Sequence, residues 1–373
     1  MYKSQHLQFW LVWSTEAARS WQVLGQTVAG YLIVGIDLAF LVAFYWCAGE
    51  ILGWWSPSDA LLNPDSLAMI FPWLNPLALS LQAGFWEECL FRAIPLAGAA
   101  LLGDRFGHRR VWIVGAFVFQ IIIFGAGHAG YPTQPGYARL VELIVPSAMF
   151  GLLYLRFGLL PGIVMHFAFD AVLFSMPLFV STAPGTWMDR GIFVILFLTP
   201  LWVVLKARLT GGPWCEASPA LQNRAWRPVE QKVGNDPACV GLSAPGNLPP
   251  VSLVTGLGVL GLGLWMYGAV VPTESPRLEV GRAEAVTVAR QAMHARGIDT
   301  TGWQEFSTVE GEGYALHRFV WSEMGEDTCR DLLGVYLPTP RWYIRYARFE
   351  GDVVARAEEY GVYVGTDLSL IHI

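Results

Sequence analysis

The stretch Phe85-Trp86-Glu87-Glu88-Cys89-Leu90-Phe91-Arg92 places two carboxylates and a guanidinium in a segment otherwise built of Leu, Ala, Phe and Trp. An ionisable side chain at the centre of a bilayer costs roughly 2.5–3.5 kcal/mol on insertion scales, so such groups pair, face the bundle interior and mark function. On a helix, Glu88 and Arg92 lie four residues apart on one face and can form an ion pair. Glu87 is expected about 100° away from Glu88 around the axis, free for other partners. A purely structural reading, in which the ion pair does no more than fix helix packing, competes with a functional one here.

The composition around that stretch is that of a membrane protein. Of 373 residues, 54% are hydrophobic and 14% charged, with 17 Trp and a mean hydropathy of +0.42. A net charge of −6 with scattered basic residues offers no basic stripe for nucleic acid, which excludes that class of partner. Cys47, Cys89, Cys215, Cys239 and Cys329 show neither CxxC nor zinc-ribbon spacing.

The fold class expected is a multi-pass α-helical membrane bundle of about seven transmembrane helices with a small α+β extramembrane C-terminal domain. Spans are expected at 27–47, 76–102 with a bend at Pro95, 111–127, 140–155, 158–176, 191–205 and 251–271. Asp37, a lone carboxylate in the first of these, reads as a satisfied contact between helices, with a proton-relay group as the alternative. Residues 1–25 read as an interfacial lead-in, 26–205 as the bundle, 206–250 as a cytoplasmic linker, 251–271 as an additional span and 272–373 as the extracytoplasmic domain. The sidedness follows from positive-inside counting. With the N-terminus cytoplasmic, Lys3, Arg19, Arg105, Arg109, Arg110, Arg156, Lys206, Arg208, Arg224, Arg227 and Lys232 all fall inside, against Arg139 and Arg190 on the opposite short loops.

In the C-terminal domain, residues 282–296 carry apolar side chains at helical spacing with Gly297 as a stop, and 342–349 and 360–364 alternate as half-buried strands. The sequence closes on an apolar run at 368–373, from which truncation is expected.

Two further polar groups lie at membrane depth: Phe124-Gly125-Ala126-Gly127-His128 closes one span, and His166-Phe167-Ala168-Phe169-Asp170 lies in another. With Glu87, Glu88 and Arg92 they make six ionisable groups on three spans of a chain that otherwise avoids charge in the bilayer, which points to a shared wet cavity. Glu87-Glu88-x-x-x-Arg92, Phe124-x-x-x-His128 and His166-x-x-x-Asp170 resemble, in order and rough spacing, the three motifs of the CAAX-protease and bacteriocin-processing (CPBP) family of intramembrane endopeptidases. The resemblance covers about residues 75–205 and implies a metal-free glutamate mechanism acting on membrane-anchored or lipid-modified substrates.

Amide cleavage needs a deprotonated water, a stabiliser for the oxyanion and an acid for the leaving amine. Glu87, the carboxylate not claimed by Arg92, is the candidate general base, His128 holds the same water, His166 donates to the oxyanion, and Glu88–Arg92 fixes the motif helix. Asp170 stands where the family more often has Asn, and an ionised Asp has no proton to donate. It is therefore protonated, or it orients His166, or the site is a zinc centre built from Glu87, His128 and His166. The HExxH pattern of soluble zinc proteases is absent. A cysteine nucleophile at Cys89 has no His at three or four residues' distance. Functions from other classes are a transporter or proton relay, which would be expected to show an internal repeat, and a non-catalytic immunity or scaffold protein.

Overall fold

Ser20 starts the first long helix, its hydroxyl accepting from the Val23 amide at 3.2 Å and so satisfying a free N–H of the first turn. The computed structural model describes residues 6–56, 64–221, 251–270, 279–310, 314–349, 358–365 and 367–372. Most of the expected linker, with Arg224, Arg227, Lys232 and Cys239, lies outside the described residues, as does Lys3. After a 3₁₀ turn at Phe9–Leu11 come α1 (Thr15–Ala18) and α2 (Trp21–Glu50). A 3₁₀ segment at Pro64–Ala68 leads to α3 (Leu74–Glu87), which a π-helical turn (Glu88–Ala93) joins to α4 (Ile94–Phe106). Then follow α5 (Arg109–Gly127), α6 (Ala138–Glu142), α7 (Ile144–Phe157) and α8 (Leu159–Phe174). The bundle continues with α9 (Met176–Val180), α10 (Thr186–Phe197), α11 (Thr199–Gly211) and α12 (Val251–Val270).

Among the described residues, three segments, Trp21–Glu50, Arg109–Gly127 and Ala138–Phe157, are long and apolar enough to cross a membrane, and a fourth results if α10 and α11, bent by 56°, form one span. Pro200 in the first turn of α11 has no N–H to continue the ladder, which accounts for that bend. The expected span at 158–176 is α8, whose 16 residues reach only about 24 Å at a rise of about 1.5 Å each. Twelve of those residues are buried, so α8 is a core helix wrapped by its neighbours, with α2 and α3 packed on it. The expected span at 251–271 corresponds to the 20-residue apolar helix α12, and 76–102 is divided at the π turn. Large side chains such as Trp10, Trp86, Trp187 and Tyr267 are exposed, as lipid-facing and interfacial positions require.

The C-terminal unit contains α13 (Arg282–Ala295), α14 (Tyr314–Met324), α15 (Glu326–Leu332) and an antiparallel sheet ordered β1 (Gln304–Glu310), β2 (Arg341–Ala347), β3 (Glu359–Val364) and β4 (Leu370–His372). Alternation puts Trp342, Ile344 and Tyr346 of β2 and Val362 and Val364 of β3 on the face covered by Ala285, Ala289 and Met293 of α13. The expected helix and the two later strands are present, and the apolar run near the end of the sequence is β4. The unit is joined to the bundle: the Val309 amide donates to Asp65 Oδ1 at 2.8 Å, and Leu67 and Ala68 belong to the same hydrophobic cluster as Trp342.

Glycine decides how α12 docks. A Cβ at Gly35 would overlap the Gly258 carbonyl, and one at Gly261 would overlap that of Gly35, so α2 and α12 touch backbone to backbone. Gly35→Leu is expected to cost about 1–3 kcal/mol by overpacking, read as a lower unfolding midpoint of the detergent-solubilised protein.

Candidate active site

Pro95, near the start of α4, cannot donate a helical hydrogen bond, and the ladder loosens just before it: the Ile94 amide reaches back five residues to the Cys89 carbonyl. The bend expected at Pro95 is accompanied by this π turn, and the turn carries Glu88 and Arg92. Glu87 and Glu88 both reach His166 on α8, at its two ring nitrogens: Glu88 Oε1 lies 3.0 Å from Nδ1 and Glu87 Oε2 lies 3.7 Å from Nε2. Glu87 takes no part in the Glu88–Arg92 pair, and its Oε2 stays free for other partners near His166 and His128.

Glu88 and Arg92 form the expected ion pair, with 3.2 Å between Oε1 and Nη1 and both side chains essentially unexposed. The guanidinium carbon lies 3.9 Å from the ring centre of Phe124 on α5 and 4.8 Å from that of Phe150 on α7. Such cation–π contacts are worth on the order of 2 kcal/mol when desolvated. Phe150 also stacks on His166, with ring centres 4.9 Å apart. Close backbone approach makes this possible. A Cβ at Gly162 would come within 3.0 Å of Glu88 Oε2, and one at Gly84 within 2.8 Å of the Phe167 nitrogen.

His128 caps the C-terminal end of α5. Its Nδ1–H donates to the Phe124 carbonyl at 2.7 Å, so in the neutral ring Nε2 is an acceptor, and that nitrogen lies 3.9 Å from Glu87 Oε2. Glu88, ionised against Arg92, likewise takes the Nδ1–H of His166. An Nε2–H donor at His166 therefore requires the imidazolium form. Asp170 Oδ2 is 3.6 Å from His166 Nε2, beyond hydrogen-bond length, so the bond that orients the ring comes from Glu88. Glu87 Oε2 itself is buried and has no hydrogen-bond partner among the described residues.

All six residues singled out in the sequence thus meet at one place. Among the described residues, no group of three or more His, Cys, Asp and Glu side chains is arranged to hold a metal ion. Three partners went unread in the sequence. Phe150 shields the ion pair, Tyr131 lies beside His128 with ring centres 5.9 Å apart, and Glu142 is held at 2.6 Å by Arg139 and at 2.7 Å by Tyr45. Phe150 and Tyr131 are lost among 14% aromatic residues, whereas Glu142 carried a signal, a carboxylate inside an expected span. Asp37 departs from expectation: it is 1% exposed, and neither carboxylate oxygen has a hydrogen-bond partner among the described residues.

Residues 69–172 match the family described as type II CAAX prenyl endopeptidase Rce1-like. This segment belongs to the CAAX-protease (CPBP) family. It contains all six residues, and the family is one of membrane peptidases. No curated protein and no solved structure matches the chain.

Removing one partner of a buried ion pair strands the other. Glu88→Ala is expected to destabilise the protein by about 3–5 kcal/mol, and Glu88→Ala/Arg92→Met to recover part of that loss, measured as unfolding in detergent.

Proposed function

We propose that the chain is an intramembrane endopeptidase that hydrolyses a peptide bond of a membrane-anchored or lipid-modified protein or peptide, with Glu87 activating water. The observation that carries this reading is the orphaned Glu87 Oε2, buried and facing Nε2 of both His128 and His166. A buried acceptor without a partner is an unusual and unfavourable arrangement, and a bound water satisfies it. In that position the water donates one hydrogen to Glu87 and the other to Nε2 of neutral His128. Glu87 takes the proton as the oxygen attacks the scissile carbonyl, and imidazolium His166, flanked by Glu88 and Asp170, donates Nε2–H to the oxyanion. Glu87 then passes its proton to the leaving nitrogen. Glu88 and Arg92 hold the geometry, and no metal takes part.

The reading places this chemistry in the helical membrane bundle at 26–205, with an additional helix at 251–271, a lead-in at 1–25, a linker at 206–250 and a small domain at 272–373. The N-terminus is cytoplasmic and the C-terminal domain extracytoplasmic, as the basic loops favour. The substrate is a membrane-embedded chain and not a nucleic acid.

Purified wild-type protein in detergent is expected to cleave members of a library of membrane-anchored peptides and to be indifferent to chelator. Glu87→Gln is expected to lose at least about 100-fold in rate at an unchanged melting temperature, and His128→Ala to lose activity too. Cleavage by Glu87→Gln would refute the assignment, and loss of wild-type activity with chelator would move the three residues into a metal shell. No cleavage by any form, with solute flux in vesicles, would favour a transporter.

A further inference from the structure

Asp37 is a second buried carboxylic acid at the depth of the site that the mechanism does not use. Helices α2 and α8 run in the same direction: Gln26 donates to the Phe157 carbonyl at 3.3 Å, and Gly30 lies against Val164. Seven residues further along α2, Asp37 comes level with Asp170. From α8, His166 and Asp170 lie within electrostatic reach of it, and from α6 so do Glu142 and Arg139. Packed against another face of α2, α12 contains no charged or titratable side chain of these kinds except Tyr267 near its far end.

The charges in this region leave no counter-ion for Asp37. Arg92 offsets Glu88 and Arg139 offsets Glu142. An imidazolium at His166 offsets one of Glu87 and Asp170. A further carboxylate, shut away from solvent and without a hydrogen-bond donor, is strongly disfavoured in such surroundings.

We propose that Asp37 is held as a neutral acid and is a positioning residue for the site, acting through His166 and Asp170 by keeping one negative charge off the α2–α6–α8 seam. Ionisation of Asp37 as the pH rises adds that charge within electrostatic reach of Glu142, Asp170 and His166 and disturbs the ring that faces Glu87. No covalent step or net proton transfer is involved. The positioning role rests on the peptidase reading; the neutral acid does not.

The test is made on the full chain in detergent. Infrared spectra across a pH series are compared for wild type and Asp37→Asn, followed by cleavage rates over the same series. The expected result is a protonated-carboxyl stretching band at neutral pH that is missing in Asp37→Asn. That variant keeps a neutral-pH cleavage rate within about threefold of wild type and loses the alkaline decline attributable to Asp37. Should Asp37→Asn fail to fold, Asp37→Ser supplies the same comparison with a smaller uncharged side chain. An unchanged band overturns the neutral acid whatever the enzyme does. A missing band with superimposable pH profiles overturns the positioning role. A missing band in a protein that cleaves no peptide at all overturns that role together with the peptidase reading, and leaves the neutral acid standing.

Discussion

The Glu88 carboxylate is the contact on which the rest of the site depends. It lies in the bundle interior and binds Arg92 on its own turn and His166 on α8, so one side chain fixes both the motif helix and the helix that faces it. Neither charge of the pair is exposed, and aromatic rings from α5 and α7 close over the guanidinium. The helices therefore cannot slide past one another without leaving a charge unpaired in a low-dielectric medium, a change that costs about 3–5 kcal/mol. That penalty holds the Glu87, His128 and His166 side chains within a few ångströms of each other.

Two backbone features let Glu88 do this. The π turn carries Glu88 and Arg92 together, and the glycines at 84 and 162 let α3 and its continuation approach α8 closely. The irregularity has a local origin in Pro95. The adjacent carboxylates Glu87 and Glu88 face opposite nitrogens of one imidazole.

The membrane class, the order of the helices and the convergence of the six ionisable residues were legible because charge is costly in an apolar segment and therefore conspicuous. Helix count was less legible. Apolarity measures burial from water, and a core helix such as α8, enclosed by protein, has the same composition as one enclosed by lipid. The π turn was hidden because proline announces a missing hydrogen bond without saying how the preceding turn adjusts. β1 is polar and α14 and α15 are short, so the C-terminal unit was legible only in α13, β2 and β3. Partners across helices, such as Tyr45 with Glu142, depend on packing that no spacing along one chain encodes.

Three carboxyl groups, Glu87, Asp170 and Asp37, remain after the arginine ion pairs are assigned, and the surroundings of Glu87 and Asp37 separate what each of these two can do. Glu87 keeps 22% of its side-chain surface open, and its buried oxygen faces two imidazole nitrogens, so it can meet water and exchange a proton with a bound chain. Asp37 is sealed, with no donor on either oxygen and carboxylates on the neighbouring helices. A sealed acid cannot exchange protons rapidly with solvent and cannot touch a substrate. What it can do is set the local charge. A bundle interior that must hold a reactive carboxylate beside imidazoles is most stable when its other acids are either paired, as Glu88 and Glu142 are, or uncharged. The same electrostatic constraint thus accounts for the paired groups, the open one and the closed one.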